Sequence, residues 1–375
     1  MAKAQPTFSL KDQLFNADSL GDLADQYSAA VPGFDRDGFH RDALSGVAER
    51  SLLECLDWFA DCLEPYLAPD FPTMAAQIEA AMPPPLDPGL RDDDFGRFIH
   101  AVPGVLAVRH GLEADCDRAL DLLHAATQRF SMEFYIRPFL NRWPTQTLAR
   151  LESWVADPHY HVRRLVSEGT RPKLPWARKI DLDPARALPL LDRLQADPTR
   201  FVTRSVANHL NDVAKIAPDM VLDRLEAWEK GGQQAKRERD WMRRHALRTL
   251  VKQGHAGAMA MLGYRRDADV SVGVSVMPDP VRLGEAIEIT VTLAAPKTAP
   301  VLVDYRIRFA RPGGRSGEKV FKLKVAKVLA GRPLVLKKRH VLKANATTFE
   351  LHPGVHGLTV QVNGMDRAET SFEIV

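Results

Sequence analysis

Ala156 to Thr170 reads ADPHYHVRRLVSEGT, and forty residues later Ala196 to Leu210 reads ADPTRFVTRSVANHL. The two align without a gap. A further forty residues bring RERDWMRRHALRTL, Arg237 to Leu250, into the same register. His161, Phe201 and Trp241 then correspond, as do Arg164, Arg204 and Arg244, while Val166, Val206 and Ala246 fill one apolar slot. Upstream of the first two copies, LARLESW and LLDRLQA hold matching places. VLDRLEAW precedes the third across a longer GGQQAKRERD loop.

One helix pair per roughly forty residues is the period of HEAT-type repeats. A single pair cannot bury its apolar face alone, so pairs stack into a curved solenoid with a concave side. Outward from this repeat, LLECLDWFADCLEPYL, RALDLLHAATQRF and PLLDRLQAD carry the i, i+3, i+4 apolar spacing of helices. After about residue 268 the period becomes two. SVGVSVMP, AIEITVTLA, VLVDYRIRFA, KVFKLKVAKVL, PLVLKKRHVLK, GLTVQVNG and TSFEIV read as seven strands, parted by PGG, AGRP and HPG. The reading is an all-α HEAT-like solenoid over residues 1–268, then an all-β immunoglobulin-like sandwich over 269–375.

At 375 residues the chain is too long for one core. No apolar run nears the roughly 20 residues that span a bilayer, and MAKAQPTFSLKDQLF lacks a secretory apolar core. A cytoplasmic protein with no membrane partner is expected. Cys55, Cys62 and Cys116 are too few and scattered for a disulfide framework or zinc site, so they read as free thiols. Net charge is +3, unevenly spread: residues 271–375 carry 16 Lys+Arg against 9 Asp+Glu, which leaves the rest at −4. Much of that acidity precedes residue 130, in DFADCLE, LRDDD and EADCD. Basic residues recur from Val162 to Arg266, a pattern that suits a polyanion.

Stacking would set Arg164, Arg204 and Arg244 in a row, with Arg163 and Arg243 beside it. Such a row fits a line of phosphates; it also fits salt bridges to acidic neighbours. His161, Arg164 and Glu168 are spaced to share one helix face. Asn208 falls level with Glu168, and Asp212 lies one turn beyond it. In SMEFYIRPFL, Glu133 and Arg137 are expected on one helix face, with Pro138 kinking or ending that helix. An acid inside a basic face opposes DNA binding, and chemistry would justify it. Cleavage of an N-glycosidic bond passes through a cationic sugar that a carboxylate stabilises. Trp143 and Trp176 are candidate aromatic faces for a cationic base, although such residues also build cores.

SMEFYIRPFL (Ser131 to Leu140), DPHYHVRRLVSEGTRPKLPWA (Asp157 to Ala177) and SVANHLNDVAK (Ser205 to Lys215) resemble the AlkC branch of the HEAT-like DNA alkylation repair glycosylases. The resemblance runs from Phe34 to about Leu250, and some members carry an immunoglobulin-like C-terminal domain. It implies a monofunctional glycosylase that removes N3-methyladenine, and in this branch N3-methylcytosine, from duplex DNA and leaves an abasic site. It implies no metal, no other cofactor and no lysine lyase step. It further implies a bent duplex gripped by its backbone, without a deep pocket for a flipped base. The site residues it carries over are Glu133, Arg164, Glu168, Trp176 and Asp212, with His161 and Asn208 as neighbours. Glu133 and Asp212 are expected to steady the sugar cation and orient water, Arg164 to clamp phosphate, and Trp176 to pack on the damaged nucleotide. MPPPLDPGLRDDDFGR departs from the family pattern.

Contact with double-stranded DNA is assigned to His161, Arg163, Arg164, Arg204, Asn208, Arg244, Lys322 and Lys324, on a chain expected to act as a monomer. The two lysines, with Lys327, alternate onto an exposed strand face that either meets the duplex or protects a sheet edge. Two other readings remain: a non-catalytic HEAT-repeat DNA-binding protein, and a protein-interaction scaffold.

Overall fold

The computed structural model describes residues 10–90, 92, 94–311, 316–343 and 351–375. The PGG turn expected at 312–314 lies outside them. The chain divides into two compact units: Met1–Ile216 with Glu226–Ala246, and Ala217–Leu225 with Leu247–Val375.

In the first unit the aligned segments are helices, at Tyr160–Gly169, Arg200–Ala214 and Lys236–Ala246; these are the first, second and third repeat helices. The first two have the partners Pro144–Trp154 and Pro184–Leu194, and Pro218–Gly231 precedes the third, with 226–231 in this unit. The repeated ADP triplet has a mechanical cause. The Asp157 carboxylate accepts the backbone N–H of His159 (2.7 Å), and that of Asp197 accepts Thr199 N–H (2.8 Å). Each aspartate thereby closes the turn that starts its repeat helix. Adjacent turns are then tied together. Arg163 donates to the Asp157 carbonyl (2.8 Å), the Pro158 carbonyl (3.0 Å) and the Asp197 carboxylate (2.6 Å).

The helix after SMEF corrects the sequence reading. It spans Ile136–Arg142, so Pro138 lies in its first turn instead of kinking or ending it. First-turn N–H groups have no intrahelical acceptor, and proline's missing donor is no loss there. Glu133 therefore sits in the preceding turn and does not share a helix face with Arg137.

The second unit holds seven strands: β1 (Ser271–Met277), β2 (Ala286–Ala294), β3 (Ala299–Ala310), β4 (Ser316–Val328), β5 (Leu334–Val341), β6 (Gly354–Val362) and β7 (Met365–Ile374). They form two antiparallel sheets, ordered β1-β2-β5 and β4-β3-β6-β7. Ile287, Ile289, Val291 and Leu293 of one and Val303, Tyr305, Ile307, Leu358 and Val360 of the other enter one core. The β6–β7 turn is Asn363-Gly364, with φ of 52° and 72°, the left-handed geometry of a tight hairpin. Asn363 also accepts Leu302 N–H (2.9 Å) and donates to Arg265 O (2.8 Å). β4 is an edge strand. Opposite Val303 and Asp304 it spends an extra residue, Leu323, between Lys324 and Lys322. Lys322, Lys324 and Lys327 are all exposed.

Four buried histidines of the first unit weigh on its acid stability. Burial foremost pushes His161 down to about 3, His209 and His100 to about 4, and His159 below its ordinary value. In an unfolded chain each binds its proton near pH 6.5. Between those values the native state holds fewer protons than the unfolded one, so stability falls as pH falls. The denaturation midpoint, followed by far-ultraviolet circular dichroism, should decline from pH 7 to pH 4.5, above the range where most carboxylates titrate. A flat midpoint across that range would mean that the fold does not hold these rings neutral.

Candidate active site

Four pieces of chain meet in the first unit: the turn Ser131–Glu133, the first repeat helix, the loop that follows it, and the second repeat helix. They bring together a line of alternating charge. Arg164 donates to Glu133 Oε2 (2.7 Å), and Nη2 of the same guanidinium lies 3.8 Å from Glu168 Oε1. Arg171 Nη1 donates to Glu168 Oε1 (2.5 Å). The other side of that guanidinium donates to Asp212 Oδ2 from Nε (2.9 Å) and Nη2 (2.8 Å). Lys215 Nζ completes the line on Asp212 Oδ1 (2.9 Å). Two hydroxyls join the line: Ser131 donates to Glu133 Oε2 (2.7 Å) and Ser205 to Glu168 Oε2 (2.6 Å).

Sequence spacing places Arg164, Glu168 and Asp212 in a common neighbourhood, and the structure supplies the link between them. Arg171 lies just past the end of the first repeat helix, three residues after Glu168. Sequence reasoning misses it, although the SEGTRP string contains it. A helical-face argument stops where the helix stops, and that is where this residue acts. Lys215, Ser131 and Ser205 are missed as well.

The line is held out of water to different degrees. Side-chain exposure is 6% for Glu168 and 5% for Asp212, but 17% for Glu133. Burial pushes the Glu168 carboxyl up, yet Arg164, Arg171 and the Ser205 hydroxyl outweigh it and hold it below its ordinary value. Burial likewise disfavours charge on Arg164 and Arg171. Their carboxylate partners prevail and raise both. Arg164 also lies over the Phe201 ring, 4.5 Å from its centroid. The guanidinium is committed to Glu133 and Glu168.

Trp176 stands apart from this line. It is 75% exposed, with a left-handed φ of 63° that a bulky residue seldom adopts. Buried Arg137 fastens both ends of its loop. It donates to Gly169 O (3.1 Å) and Arg171 O (2.8 Å) before the tryptophan and to Arg178 O (2.6 Å) after it. Burial first, then the nearby Arg171 charge, drives the Arg137 guanidinium down to about 10. Trp176 lines a hollow of about 290 Å³ with Phe134, Tyr135, Pro138 and Arg178.

Other sequence candidates are placed elsewhere. His161 is buried, with Nε2 donating to the Asp94 carbonyl (3.0 Å) and its ring tilted against Phe201. It is packed against protein. Arg163 ties repeat turns together, as described, and is likewise not a surface cation. Arg204 is paired with Asp92 (2.5 Å). The Asn208 carbonyl oxygen lies 2.8 Å from His245 Nε2. Arg244 is exposed. Trp143 is half-buried, donating to Leu112 O (2.8 Å) under the Arg142 guanidinium, so it is part of the scaffold. Among the described residues no group of three or more His, Cys, Asp or Glu is arranged to hold a metal. No helix among them is long and apolar enough to cross a membrane, and the three cysteines are free.

Comparison with known proteins adds four findings. Residues 127–250, which contain the whole line of charge, match the family model described as DNA alkylation repair enzyme. Residues 271–375 match the model of the C-terminal Ig-like domain of the uncharacterised protein YhaZ. YhaZ of Bacillus subtilis (strain 168) is 31% identical over 270 residues, covering 71% of this chain and 74% of its own. The solved structure of Pseudomonas fluorescens alkylpurine DNA glycosylase AlkC, bound to DNA containing an abasic site analog, is 33% identical. It superposes with a TM-score of 0.85 across 98% of this chain and 100% of that one.

Arg171 is the group that bridges two nearly water-free carboxylates. Arg171→Ala should destabilise the helical unit by about 3–5 kcal/mol, the usual cost of stripping one partner from a buried ion pair. Arg171→Lys should recover only part, because one ammonium cannot reproduce a fork that serves two acids. Guanidinium unfolding curves check this. Wild-type stability in Arg171→Ala would remove the bridge from the account.

Proposed function

The chain belongs to the AlkC branch of the HEAT-like DNA alkylation repair family and carries an immunoglobulin-like C-terminal domain; on that premise we propose that it is a monofunctional DNA glycosylase. Its substrate is duplex DNA containing cationic N3-methylated bases, N3-methyladenine and N3-methylcytosine. It acts as a monomer. The supporting observation is the placement of Glu133: the least buried of three carboxylates, held by Arg164 and Ser131, next in sequence to Phe134 of the hollow that Trp176 lines.

The chemistry asks little beyond electrostatics. An N3-methylated purine already carries positive charge, so no group need protonate it. The N-glycosidic bond breaks with its electron pair going to the base, which leaves neutral, and C1′ of the deoxyribose becomes cationic. Glu133 faces that cation. Water adds to C1′ and gives up a proton, for which Glu133 is the acceptor, and an abasic sugar remains. Arg164 keeps Glu133 in place. Glu168, Arg171 and Asp212 hold Arg164 and the helices that carry it. Carboxylates fixed before the reaction stabilise a developing cation without reorganising when it forms. Trp176 offers a ring face to the lesion nucleotide. Arg204, Arg244 and the β4 lysines contact the sugar–phosphate backbone.

With duplex containing N3-methyladenine, release of the free base marks an enzyme, lesion-dependent retention without release a binder, and neither a protein scaffold. Glu133→Gln should cut the single-turnover rate at least tenfold while leaving the Kd within about threefold, as expected when a single interaction specific to the transition state is removed. Asp212→Asn should cut the rate as well, read only for protein whose unfolding midpoint is unchanged. Full rate in both variants would move the site elsewhere.

For the β4 face, Lys322→Glu with Lys324→Glu should weaken duplex binding. It should also flatten the plot of log affinity against log salt by about 0.9 for each phosphate that is no longer neutralised. An unaltered slope would assign these lysines to protection of the sheet edge.

A further inference from the structure

The stretch that departs from the family pattern, MPPPLDPGLRDDDFGR, lies within Met82 to Arg97, where the described residues form no helix. It crosses the first unit as a strap over packed helices. Arg129 donates to Pro83 O (2.8 Å), and Leu86 N–H donates to Gln128 O (2.9 Å). Two histidines hold it by their Nε2 protons, His159 on Leu86 O (2.9 Å) and His161 on Asp94 O (3.0 Å). Phe95 packs edge-on against Phe201, with centroids 5.3 Å apart. These interactions fasten the strap through its backbone and rings, and Arg97 at its end adds an ion pair to Asp22 (2.5 Å).

Its acids do different work. The Asp87 carboxylate accepts Gly89 N–H and that of Asp94 accepts Gly96 N–H, both closing local turns. Asp92 instead reaches across to Arg204 on the second repeat helix (2.5 Å). Arg204 lies 5.7 Å from the centroid of Phe201, the ring that Arg164 covers from 4.5 Å. The Asp92–Arg204 pair therefore sits one ring away from the charge line of the candidate site. Its partners are 27% and 33% exposed. Half-exposed pairs of this kind add little to stability, and the strap is anchored without it. A carboxylate on a guanidinium is, however, the chemical equivalent of a phosphate oxygen there.

We propose that Asp92 is an internal competitor for backbone phosphate at Arg204, so that a duplex must exchange this carboxylate to bind. The proposal rests on the DNA reading given above. It makes Asp92 a determinant of duplex affinity: every duplex, damaged or not, must break the same ion pair and is held less tightly for it.

The test uses the full chain and an undamaged duplex, with binding measured by fluorescence anisotropy over a series of salt concentrations. Asp92→Asn should bind at least threefold tighter than wild type, with a log–log salt slope steeper by about 0.9, the value of one further neutralised phosphate. The gain should vanish in an Arg204→Ala background. Asp87→Asn removes the same charge from the same segment and should leave the slope at its wild-type value. Affinity for Asp92→Asn equal to or below wild type overturns the proposal, as does an equal gain in Asp87→Asn or in the Arg204→Ala background. If wild type binds duplex with ordinary salt dependence and Asp92→Asn changes nothing, only this inference falls. If no form of the chain binds duplex, the DNA reading falls, and this one with it.

Discussion

A single guanidinium between two carboxylates carries the architecture of the candidate site. Glu168 and Asp212 belong to neighbouring repeat helices, and both are almost closed to water. Packed against each other without a cation they would repel in a medium that screens poorly. Arg171 turns that repulsion into a clamp: one edge of its fork meets Glu168 and the other meets Asp212. Everything farther along the line depends on this. Arg164 and Arg171 together hold the Glu168 carboxyl below its ordinary value against its burial, and Arg164 in turn holds Glu133 at the open end. Arginine suits the place because its donors lie in one plane and point in two directions.

The same economy fixes the tryptophan. Left-handed backbone at a bulky residue costs about 1–3 kcal/mol and persists only where the surroundings over-determine it. Arg137 supplies that surplus by gripping carbonyls on both sides of Trp176. Arg171 takes part twice, since its side chain bridges the acids and its carbonyl receives Arg137. The loop that presents the exposed ring and the line that presents Glu133 are thus one connected construction, with little freedom to shift one against the other.

The repeat and the two-unit character of the fold are legible in the sequence because each follows from periodicity. A forty-residue register and a change of period from 3.6 to two survive any detail of side-chain packing, and all seven strands appear where alternation puts them. The candidate acids are legible by their spacing on helices. What spacing cannot say is how each charge is used. Arg163 and Arg164 are adjacent in sequence, yet one binds repeat turns together and the other binds carboxylates. His161 shares a helix face with Arg164 and still ends beneath the strap, because Phe201 and Phe95 make an aromatic cluster there. Glu133 reads as helical because the periodicity around it looks continuous. Pro138 moves the helix start beyond it, which is what frees its carboxylate to meet Arg164.

A basic row in a sequence is therefore not a row of available cations in a fold. Along these repeats, many arginines already hold an acid: Arg163 with Asp197, Arg164 with Glu133, Arg171 with Glu168 and Asp212, Arg200 with Glu238, Arg204 with Asp92, and Arg243 with Glu229 and Asp240. Polyanion binding on such a surface divides into two kinds of event. Where a cation is solvent-facing, as at Arg244 or the β4 lysines, a phosphate displaces only counterions, and affinity tracks salt. Where the cation is paired, the phosphate must displace a carboxylate that cannot diffuse away, and the gain is the difference between two similar interactions. The buried pairs are too enclosed to exchange and serve the fold. Asp92 on Arg204, half-exposed and on a separate strap, lies between those limits, where exchange is cheap enough to occur and costly enough to matter.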